Sequence, residues 1–403
     1  DQGTVTPRST TTLALRSDVP LFFDKPSFAA SVQRDFGRST ADLPSGNLQF
    51  SPRLGFNWDV TGDQQNQVRG GIGLFQGNPA YVWMSNQFQN TGAGLAQFTC
   101  GTSVATTNGT APLFNATPVS PRGCAAKTNG TPGRSLDDGT FLGTVNLAAK
   151  DLKFPQLLRA TLGYDRKLPA GVIATFDGLY SKSINSFFYN NINIPQTGRL
   201  DAQGRTVFAN FAATGIPAVS PRFPVYGTNV IDLSNQSQDY SYSGTGQLRK
   251  RFVGAFEGAV AYTYSRSFSV TDLSSSVALS NWQFGRVYSG LQTDQPVNAS
   301  LFDQPHRLLI NGTYTAPWKS NQTNVTFYYS KQSGTPYAFV YTGSGGRGDM
   351  NGDGQTFMPR NDFNRPNAAS LATGGGMATN TCPCATNGRK CRRNRAHSKV
   401  AMC

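Results

Sequence analysis

Between Asn47 and Phe75 the chain reads NLQFSPRLGFNWDVTGDQQNQVRGGIGLF. Leu48, Phe50, Pro52, Leu54, Phe56, Trp58 and Val60 fill the even positions, and Gln49, Ser51, Arg53, Gly55, Asn57 and Asp59 the odd ones. A helix would scatter the apolar set around its circumference, whereas an extended strand puts all of it on one face. The polar run TGDQQNQ turns the chain, and Val68, Gly70, Ile72 and Leu74 resume the alternation against Arg69, Gly71, Gly73 and Phe75. The pattern predicts a long antiparallel hairpin, apolar on one side. Strands of soluble proteins run to roughly 5–6 residues, and a tilted strand that crosses a bilayer needs roughly 9–11. Phe50 near one end and Trp58 near the other suit the two aromatic girdles of a membrane barrel. A half-buried strand of a large soluble sandwich or propeller is the other reading open at this point.

Composition narrows the choice. Charged residues make up 14% of the chain, against the ~25% usual for soluble domains. Glu257 is the one glutamate, so little helix is expected. No apolar run reaches the eighteen residues of a transmembrane helix, which leaves a β-barrel open. The opening DQGTVTPRS has neither the basic start nor the apolar core of a signal peptide, and the chain reads as an interior or processed piece. The net charge of +14 is lopsided: Arg389, Lys390, Arg392, Arg393, Arg395 and Lys399 fall within the last 24 residues, with no acid among them. The remaining +8 has no basic block, and nucleic acid is not an expected partner.

Further strands are predicted at 10–23, 154–167, 172–186, 238–252, 255–268, 305–316 and 323–341. Short turns fall at 61–67, 168–171, 252–255 and 317–322. Long loops fall between them, at about 76–150, 187–237, 269–303 and 341–366. Outer-membrane barrels alternate in this way, with short periplasmic turns and long extracellular loops; a soluble sandwich has no reason to gather every long loop at one end. Residues 1–366 are therefore expected to form a barrel portion. Residues 367–403, which carry four of the six cysteines and no alternation, are expected to be an unstructured tail, a candidate for a shifted reading frame.

SPRLGFNWDVTGD followed by VRGGIGLFQG resembles the barrel of TonB-dependent outer-membrane receptors, most closely the Oar-like subgroup with its carboxypeptidase-regulatory-like domain. FPQLLRATLGYDRKLPAG (154–171), the stretch 231–267 and SLFDQPHRLLINGTYTAPW (300–318) extend the resemblance over most of residues 10 to 365. It implies an all-β fold: an antiparallel transmembrane β-barrel, incomplete, with nine or ten of the family's 22 strands. An open sheet of that size leaves two unpaired edges in hydrocarbon, so this piece alone is not expected to insert stably. The resemblance further implies residence in the outer membrane of a Gram-negative bacterium, among its lipids. Its function would be uptake of a small-molecule or oligomeric substrate, energised by the TonB–ExbB–ExbD complex acting on a plug. Neither plug nor TonB box is recognisable here. Peptide, glycan and siderophore substrates all stay open, as do a passive or structural barrel or adhesin, and a secreted soluble β-protein that binds glycans.

Candidate chemistry is sparse, and no enzyme is expected. No G-x-S-x-G, P-loop or H-E-x-x-H occurs, and His306 is the one histidine before the tail. Gly343-Ser-Gly345-Gly-Arg-Gly348 lacks the helix that a dinucleotide fingerprint requires. Tyr81, Trp83 and Phe88 head the longest loop, where they could stack on a ligand or pack the loop onto itself. Cys100 and Cys124, 24 residues apart in that loop, are expected to form a disulfide in the oxidising periplasm or cell surface. Asp349, Asn351 and Asp353 open like a calcium loop, but position twelve is Arg360 where a bidentate Glu belongs. Two readings remain: a looser calcium site using Asp362, or an Asn/Gly-rich turn. Cys382, Cys384, Cys391, His397 and Cys403 match no standard zinc spacing. Arg53, Arg69, Arg159 and Arg249 fall on the polar face and would line a barrel lumen, either against a plug or in solvent.

Overall fold

In a computed structural model of the chain, the described residues are 2–92, 100–101, 109–110, 124, 144–195, 199–200, 206–211, 217–219, 221–252, 255–285, 296–316, 318, 321, 323–336 and 351–355. Ten strands follow one another as an antiparallel meander: β1 (Gln2–Thr6), β2 (Ser9–Asp18), β3 (Gln49–Asp59), β4 (Asn66–Gln76), β6 (Gln156–Lys167), β7 (Val172–Asn191), β13 (Tyr240–Arg251), β14 (Phe256–Ser269), β16 (His306–Ala316) and β17 (Thr323–Gln332). The missing numbers lie in the connections. These are β5 (Val145–Ala148), β12 (Val230–Gln236) and β15 (Asn298–Ala299), which join the main sheet, and the short ladders β8 (Arg199–Leu200) with β9 (Thr206–Val207) and β10 (Ala209–Phe211) with β11 (Pro217–Val219).

The register carries the sequence alternation straight across the sheet. Trp58 stands opposite Val68, which faces Tyr164, then Phe176; Leu54 faces Ile72, then Ala160, then Tyr180. Polar rungs lie between, such as Asn57–Arg69–Gly163–Asp177–Thr245–Thr263–Arg307. The alternation thus stays in phase across seven strands, from β3 to β16.

Burial is the reverse of that in a soluble protein. Leu162 is 60% exposed, Phe176 59% and Phe327 62%, and Leu54, Phe56, Trp58, Ile72, Leu248 and Tyr262 are exposed as well. No second layer covers this face among the described residues. An eleven-residue strand rises ~37 Å at ~3.4 Å per residue; tilted by ~40° it spans ~28 Å, close to the ~25 Å apolar band of outer-membrane barrels. Aromatic side chains collect at both ends, with Phe50, Tyr242 and the stacked Tyr240–Phe268 pair (4.8 Å) at one and Trp58, Phe252, Phe256 and Trp318 at the other.

Connections alternate in length without exception. Those at 7–8, 60–65, 168–171, 252–255 and 317–322 are short, and those at 19–48, 77–155, 192–239 and 270–305 are long. All the long ones therefore meet at one end, and there the sequence-based picture of plain loops needs correction. They build a packed cap. α1 (Ala30–Phe36), α2 (Val82–Gln89) and α3 (Ala278–Gln283) lie in three of them. Strand β7 continues five residues past the predicted end at 186, and β12 pairs with that extension and, in parallel, with β5. The cap holds the buried apolar core: Met84, Leu152, Phe187, Ile194, Ile231, Leu233 and Trp282 in one cluster, Val32, Val145, Leu147, Tyr226 and Val230 in a second. Strand β1 was also missed by the sequence reading, because QGTVT carries one apolar residue and leaves no period to detect.

Candidate functional site

The polar face of the sheet and the cap above it form the candidate site. At the long-connection end the two meet through paired side-chain and backbone bonds. Gln49 donates through Nε2 to the Phe154 carbonyl (3.0 Å), and its Oε1 accepts from the Phe154 N–H (2.9 Å). Asn235 makes the same reciprocal pair with Lys153, at 2.8 and 2.7 Å. Gln49 and Ser51, which alternation places on the polar face, are buried at 4% and 0% exposure under this cap. The cap is therefore fixed over the polar face and not over the apolar one.

A mixed pocket opens at that junction. Trp83, Phe187 and Leu273 bound it from the cap, and Arg159 with Ser181, Ser241 and Ser267 from the sheet. The serines are consecutive partners on β7, β13 and β14. Rows of hydroxyls beside aromatic faces can hydrogen-bond and stack on a polar organic ligand.

The predicted aromatics divide within this geometry. Trp83 is committed to packing, with its ring 5.6 Å from Phe187 and its indole N–H donating to the Ser275 carbonyl at 2.8 Å. Tyr81 is 59% exposed and Phe88 39%, and both keep ring surface open to solvent. Cys100 and Cys124 are bonded to each other, with Cα atoms 5.5 Å apart. Asn351 and Asp353 are buried at 2% and 1% exposure. Their segment is built into the cap: the Phe208 N–H donates to the Asn351 carbonyl (2.7 Å), and Gln355 Nε2 to the Trp282 carbonyl (2.9 Å). Asp349 and Asp362 lie outside the described residues, and among those no group of three potential metal ligands occurs. The tail cysteines and the Gly343–Gly348 run also lie outside them.

The four polar-face arginines separate into two environments. Arg69 is neutralised by Asp165 and by Asp177 (2.6 Å), and the Thr175 hydroxyl donates to Asp165 at 2.6 Å. Gly163 makes this cluster possible, since a Cβ there would lie 2.7 Å from the Asp177 carboxylate and 2.9 Å from Arg69 Cζ. Arg249 lines the same polar groove toward the short-turn end, with Arg166 and Lys167. Arg53 and Arg159 lie farther toward the cap and flank Phe75, with Cζ atoms 4.4 and 5.8 Å from its ring centroid. Parity along the strands reveals which arginines share the face; their counter-charges depend on cross-strand register, which parity does not carry.

Asp232, on β12 in the cap, is the described carboxylate with the most displaced titration. Burial pushes it up to about 6, against the opposing pull of the Arg38 guanidinium 2.5 Å away.

A family profile described as "Outer membrane beta barrel domain" matches residues 13–387. No curated protein matches the chain. Among solved structures, the siderophore receptor PirA from Pseudomonas aeruginosa aligns at 12% identity over 82% of this chain and 39% of that one, with a TM-score of 0.34. A mutant of the ferric enterobactin receptor PfeA from Pseudomonas aeruginosa aligns at 10% identity over 81% and 31%, with a TM-score of 0.38. The outer membrane transporter YddB from Escherichia coli aligns at 12% identity over 78% and 33%, also with a TM-score of 0.38. The chain spans between 31% and 39% of the length of these proteins.

Proposed function

We propose a role in substrate uptake for this chain, which belongs to the outer membrane β-barrel domain family. The ten-strand meander is the wall of an outer-membrane receptor of the TonB-dependent type. Its apolar face meets lipid, and its polar face lines a lumen. The cap presents the ligand-binding surface, and energy arrives from the TonB–ExbB–ExbD complex through a plug. The observation that carries this reading is the placement of the cap: the long connections pack into one body fixed over the polar face through Gln49, Phe154 and Asn235. A wall that only adhered or only closed a pore has no need to bury its polar side chains beneath a folded cap.

Among the described residues, strands β1 and β17 each have one hydrogen-bonded neighbour. Unpaired strand edges are untenable in hydrocarbon, so further strands close the barrel. We assign residues 1–366 to the wall and cap, and the disulfide between Cys100 and Cys124 to the closure of the longest connection.

Two measurements on the receptor test the reading. Reconstituted in planar bilayers, it should show no stable open conductance, because a plug fills the lumen. Cells carrying it should bind and accumulate a substrate that they fail to accumulate once the proton-motive force is collapsed. Steady ohmic channels, or accumulation indifferent to an uncoupler, would establish a passive barrel instead.

A further inference from the structure

Arg53 on β3 and Arg159 on β6 share one rung with Gly73 of β4 between them. Neighbouring strands lie ~4.8 Å apart, which separates the two arginine backbones by ~10 Å. The stem of Arg53 lies across Gly73 in that interval. Gly73 has no side chain, and a Cβ there would fall 2.9 Å from Arg53 Cγ and 3.0 Å from its Cα. Phe75 lies two residues along, with both guanidiniums near its ring. Cation–π contact with that ring offsets part of the repulsion between the two like charges.

The acids around this rung are engaged elsewhere. Asp18 pairs with Arg16 on β2, and Asp165 and Asp177 both pair with Arg69. No carboxylate among the described residues lies within ion-pair distance of Arg53 or Arg159. Arg159 Nε reaches the Ser181 hydroxyl at 3.4 Å, and Arg53 Nε is buried with no partner at all. Two guanidiniums with no carboxylate partner among the described residues thus converge on the Phe75 ring beside Gly73. Guanidinium forks match carboxylate and phosphate oxygens in bidentate geometry.

We infer that Arg53 and Arg159 form a two-armed clamp for an oxyanion, a carboxylate or phosphate group carried by the ligand, with Gly73 leaving room for the Arg53 stem to cross toward Arg159. Resting on the uptake reading above, the inference gives that ligand a chemical class. The clamp lies on the polar face below the pocket at Ser181, Ser241 and Ser267, so it takes the anionic group of a molecule whose remainder occupies the serine row. Arg69, held by two aspartates, is closed to the same role.

The test is calorimetric titration of the protein, purified in detergent from outer membranes, with inorganic phosphate and separately with citrate at constant ionic strength. Arg53→Gln and Arg159→Gln should each weaken binding of the preferred anion about tenfold, the loss of one charge-assisted contact. Arg249→Gln, a polar-face cation toward the short-turn end, should leave binding unchanged. Whichever of phosphate and citrate binds identifies the group. Retention of affinity in both variants, an equal loss in Arg249→Gln, or no binding of either anion by the wild type overturns the clamp. Arg53→Lys, which keeps the charge and loses the fork, should restore only part of the affinity; retained heat-modifiable electrophoretic mobility shows that each variant has folded. Energised accumulation, measured separately, keeps the two readings apart: anion binding without accumulation sinks the transport reading and leaves the clamp standing.

Discussion

Asp232 is the residue at which pH should register most clearly. Burial in the cap holds its pKa at about 6 in the folded chain, above the ordinary value of 3.8, although Arg38 pulls the other way. A carboxyl whose pKa is raised on folding favours the folded state while it is protonated. That contribution is complete below about pH 4 and is lost as pH rises through about 6. The difference corresponds to about 3 kcal/mol. Hydrogen exchange of the β12 amides should therefore speed up between pH 4 and 6, once corrected for intrinsic chemistry, and the dependence should vanish in Asp232→Asn. An unchanged slope in that variant would place the titrating group elsewhere. Little of this was legible in the sequence. Val230, Ile231 and Leu233 form a short apolar run of no clear period, and nothing in it says that Asp232 is drawn inside with them to meet Arg38, 194 residues away. The polar-face arginines were half legible. Alternation placed Arg53, Arg69, Arg159 and Arg249 on one face, but it could not show that Asp165 and Asp177 neutralise one of them and that two others converge on Phe75.

At the scale of the element, the β3–β4 hairpin shows why the wall was readable. A strand with lipid on one side and water on the other has its two environments written into alternate residues, so one strand suffices to read its own faces. The same logic located β6, β13, β14 and β16 to within about two residues of where they stand, and the start of β7 but not its end, five residues farther on. It failed for β5, β12 and the three helices. Those elements are buried from several sides by segments distant in sequence, and their apolar residues follow the shape of the cap and no fixed period. The two faces should also answer oppositely to charge. Leu162→Arg puts a cation on the apolar face near the middle of β6 and should cost about 2–4 kcal/mol of folding free energy in bilayers. Thr161→Arg, one residue earlier on the polar face, should cost well under 1 kcal/mol. Denaturant titration in phospholipid vesicles compares them, and equal costs would mean that the faces do not differ in environment.

For the whole molecule, the exposed apolar band and the buried cap are two outcomes of one division of labour. The wall leaves its apolar side chains for lipid to cover, and the cap, which stands in water, must bury its own. A single hydrophobic core would have required the apolar side chains of the strands to turn inward, and those of Leu54, Ile72, Leu162, Phe176, Leu248, Tyr262 and Phe327 do the opposite. The most direct test of this arrangement is a nitroxide scan of β6 from Leu158 to Asp165, one label at a time, in the reconstituted protein with its native cysteines replaced by serine. Collision with oxygen, which concentrates in hydrocarbon, should peak at 158, 160, 162 and 164, and collision with a water-soluble nickel chelate should peak at 159, 161, 163 and 165. Two curves of period two in opposite phase are the expected result. Equal accessibility of both sets to the nickel chelate would contradict a membrane-spanning wall.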